Sequence, residues 1–169
     1  MKYYIYQGTG TDGALTKVAE TTDAKTYTVT GLAAQTTYRF AVSSYNGLRE
    51  SAKSNIVTVT TSAIPVSSIT ITISATALEV GGTTKATVSV TPANQTDGAY
   101  TLTSTTPTVA TIDQSGNVRA VAPGTTTIKA TIGAKTSNLV TITVYEALVN
   151  VTNLTASEVT ANSVKLSWT

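Results

Sequence analysis

The 169-residue sequence contains neither cysteine nor histidine. That excludes a disulfide framework, thiolate or imidazole metal sites, and histidine- or cysteine-based nucleophilic relays. Charge is scarce as well, at 12% of residues with a net of +2, against roughly 25% charged in an average soluble domain. The lysines are scattered, so no nucleic-acid partner is expected. No apolar run approaches the ~20 residues of a membrane span, and the start, Met1-Lys2-Tyr3-Tyr4-Ile5-Tyr6-Gln7, lacks a signal peptide's apolar core. Neither membrane insertion nor an export signal of the chain's own is therefore expected. No stretch repeats at helical spacing, which excludes an α/β enzyme scaffold.

What replaces the charge is threonine, about a fifth of the chain. It is β-branched and polar, suited to the wet face of a strand. With 41% hydrophobic residues recurring in alternation, the composition predicts an all-β protein with real cores. In the first third, strands are predicted at Lys2 to Gln7, Leu15 to Glu20, Thr26 to Thr30, Tyr38 to Val42 and Ile56 to Thr60. The fourth places Tyr38, Phe40 and Val42 on one face. If Tyr3 and Ile5 point inward, Tyr4 and Tyr6 stand exposed.

Ile64-Pro65 marks a boundary, because proline suits a link and cannot sit in a central strand. Beyond it, strands are predicted at Ile69 to Ile73, Ala86 to Val90, Ala99 to Thr103, Val109 to Ile112, Val118 to Val121, Thr126 to Ala130 and Val140 to Val144. Turns fall at Gly81-Gly82, Pro92-Ala93-Asn94, Ser115-Gly116-Asn117 and Pro123-Gly124. After a join at Glu146-Ala147-Leu148, two more strands are expected, Val151 to Ala156 and Ser163 to Thr169. Val164, Leu166 and Trp168 share one face of the last.

Three pieces carry family resemblances. Gly31-Leu32-Ala33-Ala34-Gln35-Thr36-Thr37-Tyr38-Arg39-Phe40-Ala41-Val42 resembles the E–F corner of a fibronectin type III domain. That resemblance implies a buried Tyr38 whose hydroxyl bonds back to the corner backbone. It makes residues 1–62 strands C to G, with A and B missing. The tail, 148–169, is similar to strands A and B, with Trp168 in the tryptophan position of strand B. Between them, Leu78-Glu79-Val80-Gly81-Gly82-Thr83, Val90-Thr91-Pro92-Ala93-Asn94, Val109-Ala110-Thr111-Ile112-Asp113 and Ala122-Pro123-Gly124-Thr125-Thr126 resemble a bacterial Ig-like domain of group 2, over 63–147. Leu102 stands near a position where that family often has tryptophan. The implied architecture is two Ig-like β-sandwiches in series, one split between the chain ends.

The split has an energetic meaning. Burying Leu154, Val159, Val164, Leu166 and Trp168 at ~1.5–3 kcal/mol each rivals the net stability of a whole domain, roughly 5–15 kcal/mol. Leu154, Val164, Leu166 and Trp168 are thus expected to share one core with Tyr3, Ile5, Tyr38 and Phe40. A three-residue join reaches only ~10 Å, which disfavours closure within one chain unless the domains fold back. The remaining arrangements are completion of another copy, head to tail, or of the next module in a tandem array.

Of the nine carboxylates, most lie in or beside turns on separate edges, and a paired-carboxylate hydrolase would need two facing one cleft. Asp113 before Gln114-Ser115-Gly116-Asn117 is a hairpin-turn residue. Gly8-Thr9-Gly10-Thr11-Asp12-Gly13 is followed by no helix that could cradle a phosphate. No cofactor is expected and no catalysis. The candidate ligand loop is Tyr45-Asn46-Gly47-Leu48-Arg49-Glu50, at the F–G position, with Tyr45 as a stacking face for cell-surface glycans. The sequence thus predicts a structural or adhesive extracellular module of a bacterial surface or a phage virion. The alternative is a spacer or accessory fragment of a large secreted bacterial protein or carbohydrate-active enzyme.

Overall fold

Alternating β-branched and aromatic residues between glycine- and asparagine-rich turns form strands here and nothing else. The computed structural model describes residues 1–169 and contains fifteen strands and no helix. It divides into two units. One comprises Met1–Thr70, Ser89–Tyr100 and Thr131–Thr136; the other comprises Ile71–Val88, Thr101–Ala130 and Ser137–Thr169.

In the first, β1 (Lys2–Thr9), β2 (Thr16–Thr22), β3 (Thr37–Tyr45) and β4 (Val57–Thr60) form a sheet in the order β2-β1-β3-β4. The β1–β3 ladder is regular from Lys2↔Tyr45 to Thr9↔Tyr38, while β1–β2 carries a bulge between Ile5 and Tyr6. The β1–β2 loop closes so tightly that a Cβ on Gly13 would stand 2.0 Å from the Thr9 carbonyl oxygen. Only glycine fits there. The Arg39 guanidinium donates to the Gly13 carbonyl at 3.0 Å, fixing the loop to β3.

The expected strand Thr26 to Thr30 does not form: these residues run outside any ladder. Their alternation is sound, but a strand is defined by a neighbour, and none lies beside them. The second strand starts at Thr16 rather than Leu15 and runs on to Thr22. The expectation of an exposed Tyr6 is also corrected. Tyr6 is 8% exposed, because the chain after β3 folds over it.

Beyond the linker, β5 (Ser68–Ile73), β7 (Thr83–Thr91), β10 (Asn117–Ala120) and β9 (Ala110–Ile112) follow one another in one sheet. A second sheet runs β12 (Lys135–Thr136), β11 (Gly124–Ile132), β13 (Val140–Tyr145) and β6 (Ala77–Glu79), with β8 (Thr101–Ser104) on β11. β6 was not anticipated; it pairs parallel with β13, Leu78 opposite Val144. Inward-facing Ile71, Val118, Ile128 and Ile142 are fully buried. Leu102 is buried too.

Side-chain amides and hydroxyls cross-link the backbone of this unit. Asn138 accepts from the Ile71 N–H through Oδ1 and donates to its carbonyl through Nδ2, acting as a one-residue strand. Gln114 holds Leu102 the same way. Thr126, buried, bonds the hydroxyls of Ser104 and Thr105 and accepts from the Thr106 N–H. No buried polar side-chain atom lacks a partner. The chain ends in a two-stranded ribbon, β14 (Thr155–Ser157) and β15 (Lys165–Ser167), shorter than the two strands expected there.

Candidate functional site

One face of the first sheet is an open apolar groove. Ile5 and Val42 are cross-strand partners at its centre, and Tyr27, Val29, Leu32 and Phe40 complete the lining. It continues past Tyr3 towards Ala24 and Thr26. Tyr38 and Phe40 stack with centroids 6.2 Å apart, and the Ala33 N–H donates to the Tyr38 hydroxyl at 2.9 Å. The corner tyrosine is thus anchored as the resemblance implies. Along β3 burial falls from Tyr38 to half-buried Phe40 to exposed Val42, because nothing covers the groove's middle. Tyr27, Val29 and Leu32 were not among the expected core residues. Their signal was the alternation read as a strand.

The ribbon is the second apolar surface. Its register pairs Ala156 with Leu166, between Thr155↔Ser167 and Ser157↔Lys165. Side chains alternate across a strand, so Leu154, Ala156, Val164, Leu166 and Trp168 fall on one face. Residues 145–169 are all exposed, Trp168 at 59%. Of the residues expected to share one core, Ile5 and Tyr38 are buried in their sheet, Tyr3 and Phe40 are half-buried, and the four tail residues are exposed.

The loop from β3 to β4 brings together Tyr45, Asn46, Gly47, Leu48, Arg49 and Glu50, but most of its polar groups serve the loop. Asn46 Oδ1 accepts from the N–H groups of Leu48 and Arg49. The Tyr45 hydroxyl donates to the Gly47 carbonyl, and its ring stacks on Tyr4 at 5.5 Å. Glu50 receives hydrogen bonds from the Tyr6 and Ser43 hydroxyls on a single oxygen. Those two bonds, Ser43's first, hold its carboxyl below the usual range. The same carboxylate, and then burial, push the Tyr6 phenol up. Lys53 caps the Tyr6 ring at 4.2 Å and Lys17 the Tyr4 ring at 3.5 Å. On β2, Glu20 is flanked by Lys17 of the same strand and Lys2 of β1, which lower it to about 2.

No three acidic side chains gather closely enough to hold a metal ion. Asp113 accepts from the Asn117 backbone N–H at 2.8 Å and from its side-chain amide at 2.7 Å. That backbone bond, then the side-chain bond, lowers its carboxyl. It closes the β9–β10 hairpin.

Residues 65–144 match the family of bacterial Ig-like domains, group 2. Among solved structures, the chain is similar to an S-layer protein, SbsC, at 19% identity and a TM-score of 0.41, covering 99% of this chain and 28% of that one. A two-domain piece of SbsC, domains 4 and 5, is similar at 26% identity and a TM-score of 0.37, over 64% of each chain. Chicken CNTN1 domains FN1–FN3 are similar at 13% identity and a TM-score of 0.30, over 99% of this chain and 65% of that one. No curated protein matches.

Proposed function

We propose, from the premise that residues 65–144 form a bacterial Ig-like domain of group 2, that the chain is a non-enzymatic structural module of a surface rod. It is displayed on a bacterial cell or a phage virion and joined head to tail to its neighbours. In this reading residues 63–147 are a self-contained sandwich. Residues 1–62 and 148–169 are two halves of a fibronectin-type sandwich that close only between successive modules. The observation that carries it is the pairing of an open apolar sheet face with a ribbon whose apolar side chains share one side. Polar side chains cluster in turns and cross-links, where they brace the backbone.

The test is immunogold electron microscopy with antibodies raised against the 169-residue chain. Periodic label along surface filaments, envelopes or virions is the expected result; label confined to the cell interior would overturn the reading. Glycan contact, where it occurs, falls to Leu48 and Arg49, which the loop leaves exposed. Retention on a glycan array that disappears in Arg49→Ala would establish it.

A further inference from the structure

We infer that Asn46 is a site of spontaneous covalent modification: the loop after β3 folds its carboxamide onto the Gly47 nitrogen and converts the residue to aspartate and isoaspartate. This goes beyond the structural-module reading and stands apart from it.

The sequence selects the position. Of eight asparagines, Asn46 alone precedes a glycine. A side chain on the following residue shields its own backbone nitrogen, and glycine has none. Elsewhere the fold closes the route. At Asn117 and Asn138 the side-chain NH2, the group that must leave, is held by Asp113 and by the Ile71 carbonyl. The nitrogen that follows Asn162 donates to the Thr160 hydroxyl.

The loop supplies the geometry. Asn46 Oδ1 accepts from the N–H groups of Leu48 and Arg49, each at 2.9 Å. The ring closed by the Leu48 bond contains both Asn46 Cγ and the Gly47 nitrogen, so the carboxamide carbon is held forward over the peptide that attacks it. The Gly47 N–H makes no hydrogen bond, while the Gly47 carbonyl is fixed by the Tyr45 hydroxyl. Both residues are exposed, and nothing lies within 4 Å of where a Gly47 Cβ would stand. Water therefore reaches the site.

The chemistry needs only water. Solvent hydroxide removes the Gly47 amide proton, and the nitrogen bonds to Asn46 Cγ. Negative charge develops on Oδ1, where the Leu48 and Arg49 N–H groups stabilise it as an oxyanion hole does. The Cγ–Nδ2 bond then breaks, and Nδ2 leaves as ammonia with a proton from water, which restores the hydroxide. Water opens the imide at either carbonyl, giving aspartate or, with the main chain rerouted through the side chain, isoaspartate. Either product sets a negative charge beside Arg49 and lowers the formal net charge of +2 by one. The loop tip thereby grows less receptive to anionic ligands as the protein ages.

Ageing the full chain in mildly alkaline buffer tests this. Trypsin releases residues 40–49, which hold Asn46 and no other side-chain amide. That peptide should gain about one dalton before any other does, and divide into two chromatographic isomers, as an imide requires. The folded chain should react severalfold faster than a synthetic peptide of the same residues, which lacks the held geometry. An unchanged mass overturns the inference. So does a single isomer, or a folded chain that reacts no faster than the free peptide. Immunogold labelling decides the surface-module reading separately.

Discussion

Tyr38 holds the corner before β3 through one hydrogen bond, from the Ala33 N–H. Tyr38→Phe keeps the ring and strands that N–H, so a loss of about 1–2 kcal/mol is expected by urea denaturation. Gly116 is more demanding. Its φ is +84°, and a Cβ there would lie 2.5 Å from the Ala86 carbonyl oxygen. Gly116→Ala should cost at least ~2 kcal/mol, from left-handed strain plus the clash. Acid acts on Glu20 and Glu50 of the first sheet and on Asp113 at the β9–β10 turn, all held low. Glu20 is held at about 2 against an ordinary 4.5, so the unfolded chain binds more protons between those values. Its contribution is complete above pH 4.5 and disappears as pH falls towards 2; Glu50, also lowered, works in the same direction. The urea midpoint of Glu20→Gln should therefore fall less steeply than wild type over that interval.

Among the elements, Thr26–Thr30 is the informative one. Without a ladder its amides should exchange with solvent far faster than those of β1 or β3, which hydrogen–deuterium exchange measures. Asn138→Ala removes both bonds to the Ile71 backbone, and a loss of about 2–3 kcal/mol is expected in thermal or urea melts. The sequence made most strands readable because alternation is a local property: Tyr38, Phe40 and Val42 declare a face without reference to anything distant. It failed in two instructive ways. Thr26–Thr30 has a strand's chemistry but no neighbour, and a neighbour is not local information. β6, Ala77–Glu79, is too short to alternate and forms because β13 offers a parallel edge. In the candidate loop, Tyr45 and Glu50 were legible as surface chemistry. Their engagement by Tyr4, Tyr6 and Ser43 was not, because it depends on how β1 and β3 lie side by side.

For the whole molecule, four apolar ribbon side chains at ~1.5–3 kcal/mol each face an association cost of about 4–15 kcal/mol. Groove side chains still exposed, such as Tyr27 and Val42, add to the gain. In the head-to-tail reading these two terms are of similar size, so closure of the groove should be weak and reversible and carry the negative heat-capacity change of apolar burial, which calorimetry can check. The Ig-like unit extends the same logic inward. Thr126 with Ser104, Thr105 and Thr106 forms a knot of neutral groups that neither a brackish medium nor a sour one can unfasten. Sensitivity to acid is thereby unevenly shared: the first sheet registers it through Glu20 and Glu50, while the Ig-like unit exposes a lowered carboxyl at Asp113, outside that knot.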